Sequence, residues 1–196
     1  MGDEQYAQIL SSPGLTDIQC RIMNEITGVE TSKREAVVSA TDPDWTRERP
    51  TARGWNPSRS LLRSIRDYQL AQRRRNRLRR RWAILRHRFW SVVTGADIPV
   101  DCNIGGGLLI PHPNGIVIHP GAEIGPNCLF FQQVTVGATE SGVPRVGGHV
   151  DVGAGARLIG PIVIGDHAKI GANAVVTINV PAGATAVGIP ARIVVK

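Results

Sequence analysis

The chain has 196 residues, 42% apolar and 20% charged, enough for one folded domain of ordinary size with an appended segment. Twenty-two glycines and 13 prolines against 5% aromatics disfavour a helical bundle and suit a turn-rich or repetitive fold. The net charge of +7 is uneven: 18 Lys and Arg face 10 Asp and Glu in residues 1–96, against 5 and 6 in residues 97–196, so the basic character belongs to one half.

Taken in chain order, the first 30 residues lack the basic, apolar and small-residue regions of a secretion signal, and cytoplasmic residence is the expectation. Residues 1–57 are weakly patterned. Around Val37-Val38 a short helix is expected, followed by irregular chain through Thr41-Asp42-Pro43-Asp44-Trp45 and Arg53-Gly54-Trp55-Asn56-Pro57. Residues 59–93 read as one helix or two. Leu78, Trp82, Leu85, Phe89 and Val92 return at alternating steps of four and three, forming an apolar stripe, and Thr94-Gly95 ends the helix. Seven arginines occupy the nine positions Arg73 to Arg81, and on a helix they would cover most of its circumference. Three readings of that run stay open. It is a solvated helix with salt bridges, a region attracted to an anionic surface such as the inner membrane leaflet or an acidic glycan, or a nucleic-acid contact. The last is disfavoured, because no stacking platform or groove-reading motif accompanies it.

From residue 98 the chain repeats. Aliphatic residues return every six positions in three runs: Ile98, Ile104, Ile110; then Ile118, Ile124, Phe130, Val136; then Val146 through Val176. Glycine often follows the aliphatic residue, as at Gly105, Gly125, Gly153 and Gly165, and something small or β-branched sits four positions after it. Six fits neither a helix nor a continuous strand. It fits a short strand and a sharp turn repeated, with glycine expected where the turn strains the backbone. Three such units close a triangular coil, and stacked coils bury one apolar column. A chance Gly/Val-rich stretch would have to hold phase through the six units of the third run. The phase slips by two residues around Pro111–Gly115 and by four across Ala138–Pro144, which predicts two loops leaving the coils. Cys102 and Cys128 take the small interior position on different sides of the prism and read as packing residues. The three cysteines show no C-x-x-C spacing, and no metal is expected.

The hexads, with Asp97-Ile98-Pro99, His112-Pro113-Asn114-Gly115-Ile116-Val117-Ile118, Gln132-Gln133-Val134-Thr135-Val136-Gly137, Gly153–Leu158 and the tail Val187–Val194, resemble one family. It is the hexapeptide-repeat acyltransferases, left-handed parallel β-helices, and within them serine O-acetyltransferase and its short polysaccharide-associated relatives. The resemblance covers residues 97–196. Residues 1–95 read from their own pattern as a basic, mostly helical segment, and the resemblance implies that a left-handed β-helix acetyltransferase domain follows over 96–196, as a homotrimer whose sites lie between adjacent prisms. It implies acetyl-CoA as co-substrate, His112 as catalytic base and Asp97 as the acid paired with it. Fifteen residues separate the two, close to one coil of about 18, which would set the carboxylate under the imidazole. The cofactor residues carried over are Ala138, Ala154 and Lys169 (otherwise an ordinary exposed turn residue), with Arg192 a second candidate for CoA phosphates. His87, His119, His149 and His167 are expected to be structural or solvated.

The chain also departs from the family. The Arg-His-Pro of the loop before the third run is replaced by Glu140-Ser141-Gly142-Val143-Pro144-Arg145, with Arg145 a displaced substitute for the lost arginine, and Pro111 stands where Asp usually precedes the histidine. Both changes remove groups that would hold an amino-acid acceptor. Serine therefore competes with a saccharide hydroxyl as the expected acceptor.

Overall fold

A two-residue strand that buries only its second side chain must turn before the next interior position comes round, and the chain does this repeatedly. The computed structural model describes residues 38–49 and 54–194. Within it the strands stack into three parallel sheets. The first face carries β2 (Val117–Ile118), β5 (Thr135–Gly137), β8 (Arg157–Ile159) and β11 (Val175–Val176), with Asp97 bridged to Val117 below them. The second carries β1 (Asn103–Ile104), β3 (Glu123–Ile124), β6 (Arg145–Val146) and β9 (Val163–Ile164), continued by Val180. On the third, Leu109 precedes β4 (Leu129–Phe130), β7 (Asp151–Val152), β10 (Lys169–Ile170) and β12 (Thr185–Gly188), and β13 (Ala191–Val194) folds back antiparallel on β12. The result is a solenoid of about five coils.

Every aliphatic hexad position named from the sequence is buried, from Ile98 to Val176, and so are the small positions Cys102, Ala122, Cys128, Val134, Val150, Ala156, Ala168 and Ala174. Both loops appear where the phase slips. A third slip, which the runs did not include, shortens the step from Val176 to Val180, both buried.

The glycines have a different cause from the one expected. Those directly after the aliphatic residue are not the left-handed positions of the turn. A Cβ on Gly125 would run into the Gly147 backbone of the next coil, so close stacking requires glycine there. The left-handed residue lies two positions later and is often not glycine: Asn127, Gln133, His149, His167 and Asn173 all have φ between 52° and 61°.

Ahead of the solenoid stand α1 (Pro57–Arg73) and α2 (Arg77–Thr94). Leu61, Leu62 and Ile65 of α1 close the lower end of the apolar column, as a terminal unit of a solenoid must. The arginine run therefore does not ring one helix but straddles the turn between two. Arg75 is left-handed there, and the Asn76 side chain accepts from the Arg79 N–H to start α2. Gly95, left-handed at φ 65°, ends α2 where the sequence placed its end.

Residues 38–49 lie across the corner between the second and third faces; the helix expected at Val37-Val38 falls largely outside the described residues. A 3₁₀ turn, Trp45–Glu48, delivers Glu48 to Arg66 of α1 at 2.8 Å. Glu48 also accepts from the Gly107 and Leu108 N–H groups, and Arg66 donates to the Ile104 and Gly105 carbonyls. Asn127, fully buried, accepts from the Asp44 N–H and donates to the Ser39 and Asp42 carbonyls. These polar groups are satisfied reciprocally, which makes the arrangement a clamp.

Candidate active site

The two-residue loop brings His112 to the corner where the third face of the first coil passes into β2. Gly115, left-handed at φ 70°, donates to the Gly95 carbonyl, and the Asn114 carbonyl accepts from Gln133 one coil on. The bend is thus held from both sides while the His112 ring stays exposed. Asp97 lies one coil below. Its N–H donates to the Ile116 carbonyl and its own carbonyl accepts from Ile118, so its backbone is locked and its carboxylate points outward beside Val117. Among the described residues no hydrogen bond or ion pair joins the two side chains, and the residue in register above Asp97 is Val117, five positions after His112, so the carboxylate is not set directly under the imidazole as expected.

The other sequence-derived candidates sit on different faces. Ala154 lies on the same edge as His112, two coils higher, a rise of about 10 Å. Ala138 begins the second loop at the far end of β5, on the first face. Lys169 is exposed on the third face, in strand β10 rather than at a turn. It borders a concavity of about 440 Å³ shared with Gly183, Thr185, Ile193 and Val194. Arg192, exposed on β13, pairs in register with Val187. A single copy of the chain therefore does not gather all of these residues around one point.

The second loop is a tight hairpin in which the Thr139 and Gly142 backbones exchange hydrogen bonds of 2.9 and 3.1 Å. Arg145, the displaced arginine, lies on the second face as part of β6, with its Nε 3.7 Å from the Glu123 carboxylate. Both are exposed, so that pairing is weak. Sequence reasoning passed over Gln132, whose Oε1 is buried without a partner among the described residues, on the corner one coil above His112. An acceptor left bare in that position is the kind of group a bound ligand satisfies.

The remaining histidines hold structure. His119 Nδ1 accepts from the Gly121 N–H. His87 is buried against Ser64, and that burial holds its pKa down, opposed by a hydrogen bond to the Ile98 backbone. His149 and His167 stack on successive coils with their Nδ1 atoms 2.8 Å apart, and desolvation lowers the His149 pKa. Burial pushes the Cys102 and Cys128 thiols up to about 12, which fits packing and leaves no thiolate.

No family model matches the chain. It is 41% identical over 109 residues to a serine acetyltransferase of Synechococcus elongatus, covering 54% of this chain and 45% of that one. A soybean serine acetyltransferase solved in complex with serine superposes with a TM-score of 0.62 at 37% identity, over 70% of this chain and 57% of that one. A serine acetyltransferase in complex with CoA gives 0.62 at 36% identity, over 71% and 57%. The chain thus spans about half the length of the relatives it matches. In sequence and in architecture, its solenoid fits the hexapeptide-repeat acyltransferase family, close to the serine acetyltransferases.

Proposed function

We propose that the protein is an acetyl-CoA-dependent O-acetyltransferase with His112 as general base. The observation that carries this is the exposed His112 on a braced bend, with the exposed Asp97 locked in the coil below, in a solenoid 41% identical to a serine acetyltransferase. His112 takes the proton of the acceptor hydroxyl as its oxygen attacks the thioester carbonyl carbon. The tetrahedral adduct collapses with cleavage of the carbon–sulfur bond, and the imidazolium returns the proton to the departing CoA thiolate. Ester and free thiol result. Asp97 orients the ring and stabilises its charged form; such pairs are commonly apart in the unliganded enzyme and tighten on substrate.

The Ala138 and Ala154 backbones hold the pantetheine arm, with Lys169 and Arg192 meeting CoA phosphates. The concavity beside Lys169 supports this role. Because Ala138 and Lys169 occupy different faces, one CoA reaches both sets only in a groove between neighbouring copies, which supports a homotrimer.

Serine is the first acceptor, as in the named relatives. A saccharide hydroxyl is the second reading, favoured by the second loop, whose Thr139–Gly142 hairpin carries no basic residue and leaves Arg145 on another face. The test is CoA-thiol release from acetyl-CoA with serine and with a panel of sugars. Faster release with serine supports the first acceptor, and faster release with a sugar supports the second. A folded protein inactive with all of them overturns the proposal. His112→Ala should lose at least about 10²-fold in turnover with its melting temperature kept, and a fully active variant would remove His112 as the base.

A further inference from the structure

The apolar stripe of α2 faces outward. Leu78, Trp82, Leu85, Phe89 and Val92 are 57–84% exposed, while the face the helix buries is Ala83, His87 and Thr94. At 100° per residue the five apolar side chains fall within an arc of about 80°, opposite the buried face. Arg81 and Arg88 border the stripe on one side, Arg79 and Arg86 on the other. Arg86 pairs with Asp67 at 2.6 Å. Among the described residues, none of the seven arginines from Arg73 to Arg81 has a carboxylate partner. A concavity of about 340 Å³ between the helices, lined in part by Arg74, Arg79, Trp82 and Arg86, opens beside the stripe.

We infer that this face of α2 docks on an anionic lipid bilayer, its apolar stripe entering the headgroup boundary and its flanking arginines meeting lipid phosphates. An apolar band edged by cations, with aromatic side chains in it, is the pattern of a helix lying in a membrane interface. Among the described residues no helix is long and apolar enough to cross a membrane, so the contact is peripheral. A second copy of the helix is a poor occupant. α2 contains no Asp or Glu, and pairing two stripes would set Arg79, Arg81 and Arg88 against one another, with only Asp67 of α1, already paired to Arg86, nearby. Nucleic acid would use the arginines and leave the aliphatic part of the stripe in water.

The test is sedimentation of the full chain with phosphatidylcholine vesicles, with and without phosphatidylglycerol. Anionic vesicles should bind at least roughly tenfold more tightly than neutral ones, and binding should weaken with added salt. Replacing Arg79, Arg81 and Arg88 with Gln should cost roughly 10²-fold. Trp82→Ser with Phe89→Ser should cost roughly tenfold or more. The second variant should leave the melting temperature and CoA-thiol release unchanged, which separates this inference from the acetyltransferase reading. Equal binding to both vesicles, or no binding, overturns it. A folded Trp82→Ser, Phe89→Ser variant that still binds fully also overturns it. So does a wild-type dimer that this variant dissociates, or tighter binding to an RNA duplex than to anionic vesicles.

Discussion

The solenoid and the helical pair ahead of it each carry a plain hydrophobic period, and only one period reveals what is inside. A six-residue repeat closes on itself: its aliphatic residues have nowhere to point but into a column that the same coils enclose, and all those named from the sequence are buried. The stripe on α2 is equally regular, yet its residues face outward and the helix buries Ala83 and His87 instead. A helix does not enclose its own apolar face. What covers that face is chosen by neighbours distant in sequence.

The sharpest way to break the comparison is to cut the clamp that ties the two regions together. Arg66→Ala leaves the buried Glu48 carboxylate without its ion-pair partner, held only by the Gly107 and Leu108 N–H groups, and should destabilise the chain by about 3–5 kcal/mol in urea unfolding. A change below about 1 kcal/mol would mean the clamp is ornamental to stability. Next come paired truncations. Leu158→Ala, in the column, should cost about 2–5 kcal/mol, whereas Leu85→Ala on the exposed stripe should stay within about 0.5 kcal/mol. Similar losses at both would show that the stripe is covered.

A smaller effect concerns pH. Burial holds His149 and His87 below the ordinary histidine value of about 6.5, so the unfolded chain binds more protons as pH falls past that point. The stabilisation is complete above that pH and is lost as pH drops toward the lowered folded values. The neighbouring His167, whose Nδ1 lies 2.8 Å away, adds to the lowering at His149. His149→Asn keeps a residue type that Asn127 and Asn173 already place at the left-handed position, and should flatten part of the decline in melting temperature between about pH 8 and about pH 5. An unchanged slope would assign the decline to other groups. Smallest of all, alkylation mapped by mass spectrometry should leave Cys102 and Cys128 unmodified until the solenoid unfolds.

The coils, both loops and the packing role of Cys102 and Cys128 were legible because each follows from keeping or losing a six-residue phase. The glycine after each aliphatic residue was visible, but its cause lay in the neighbouring coil. The clamp was missed although it left a trace. Gly106 and Gly148 exceed what the hexads need, and a Cβ at either would strike residues 40–45 crossing the corner. Asp97 and His112 could be named from their surroundings in the chain. That Asp97 is locked against Val117 while His112 rides a bend pinned by Gly95 and Gln133 could not.

By itself the sequence determined an N-terminal helical region, a solenoid, its inward residues and the corners where loops leave it, because these are local consequences of a short period. Tertiary structure decided that Glu48 meets Arg66, that Ala138 and Lys169 stand on different faces, and that the stripe of α2 looks outward. Each of those depends on segments far apart in the chain arriving at one place, and no pattern within a single segment encodes where its partner will lie.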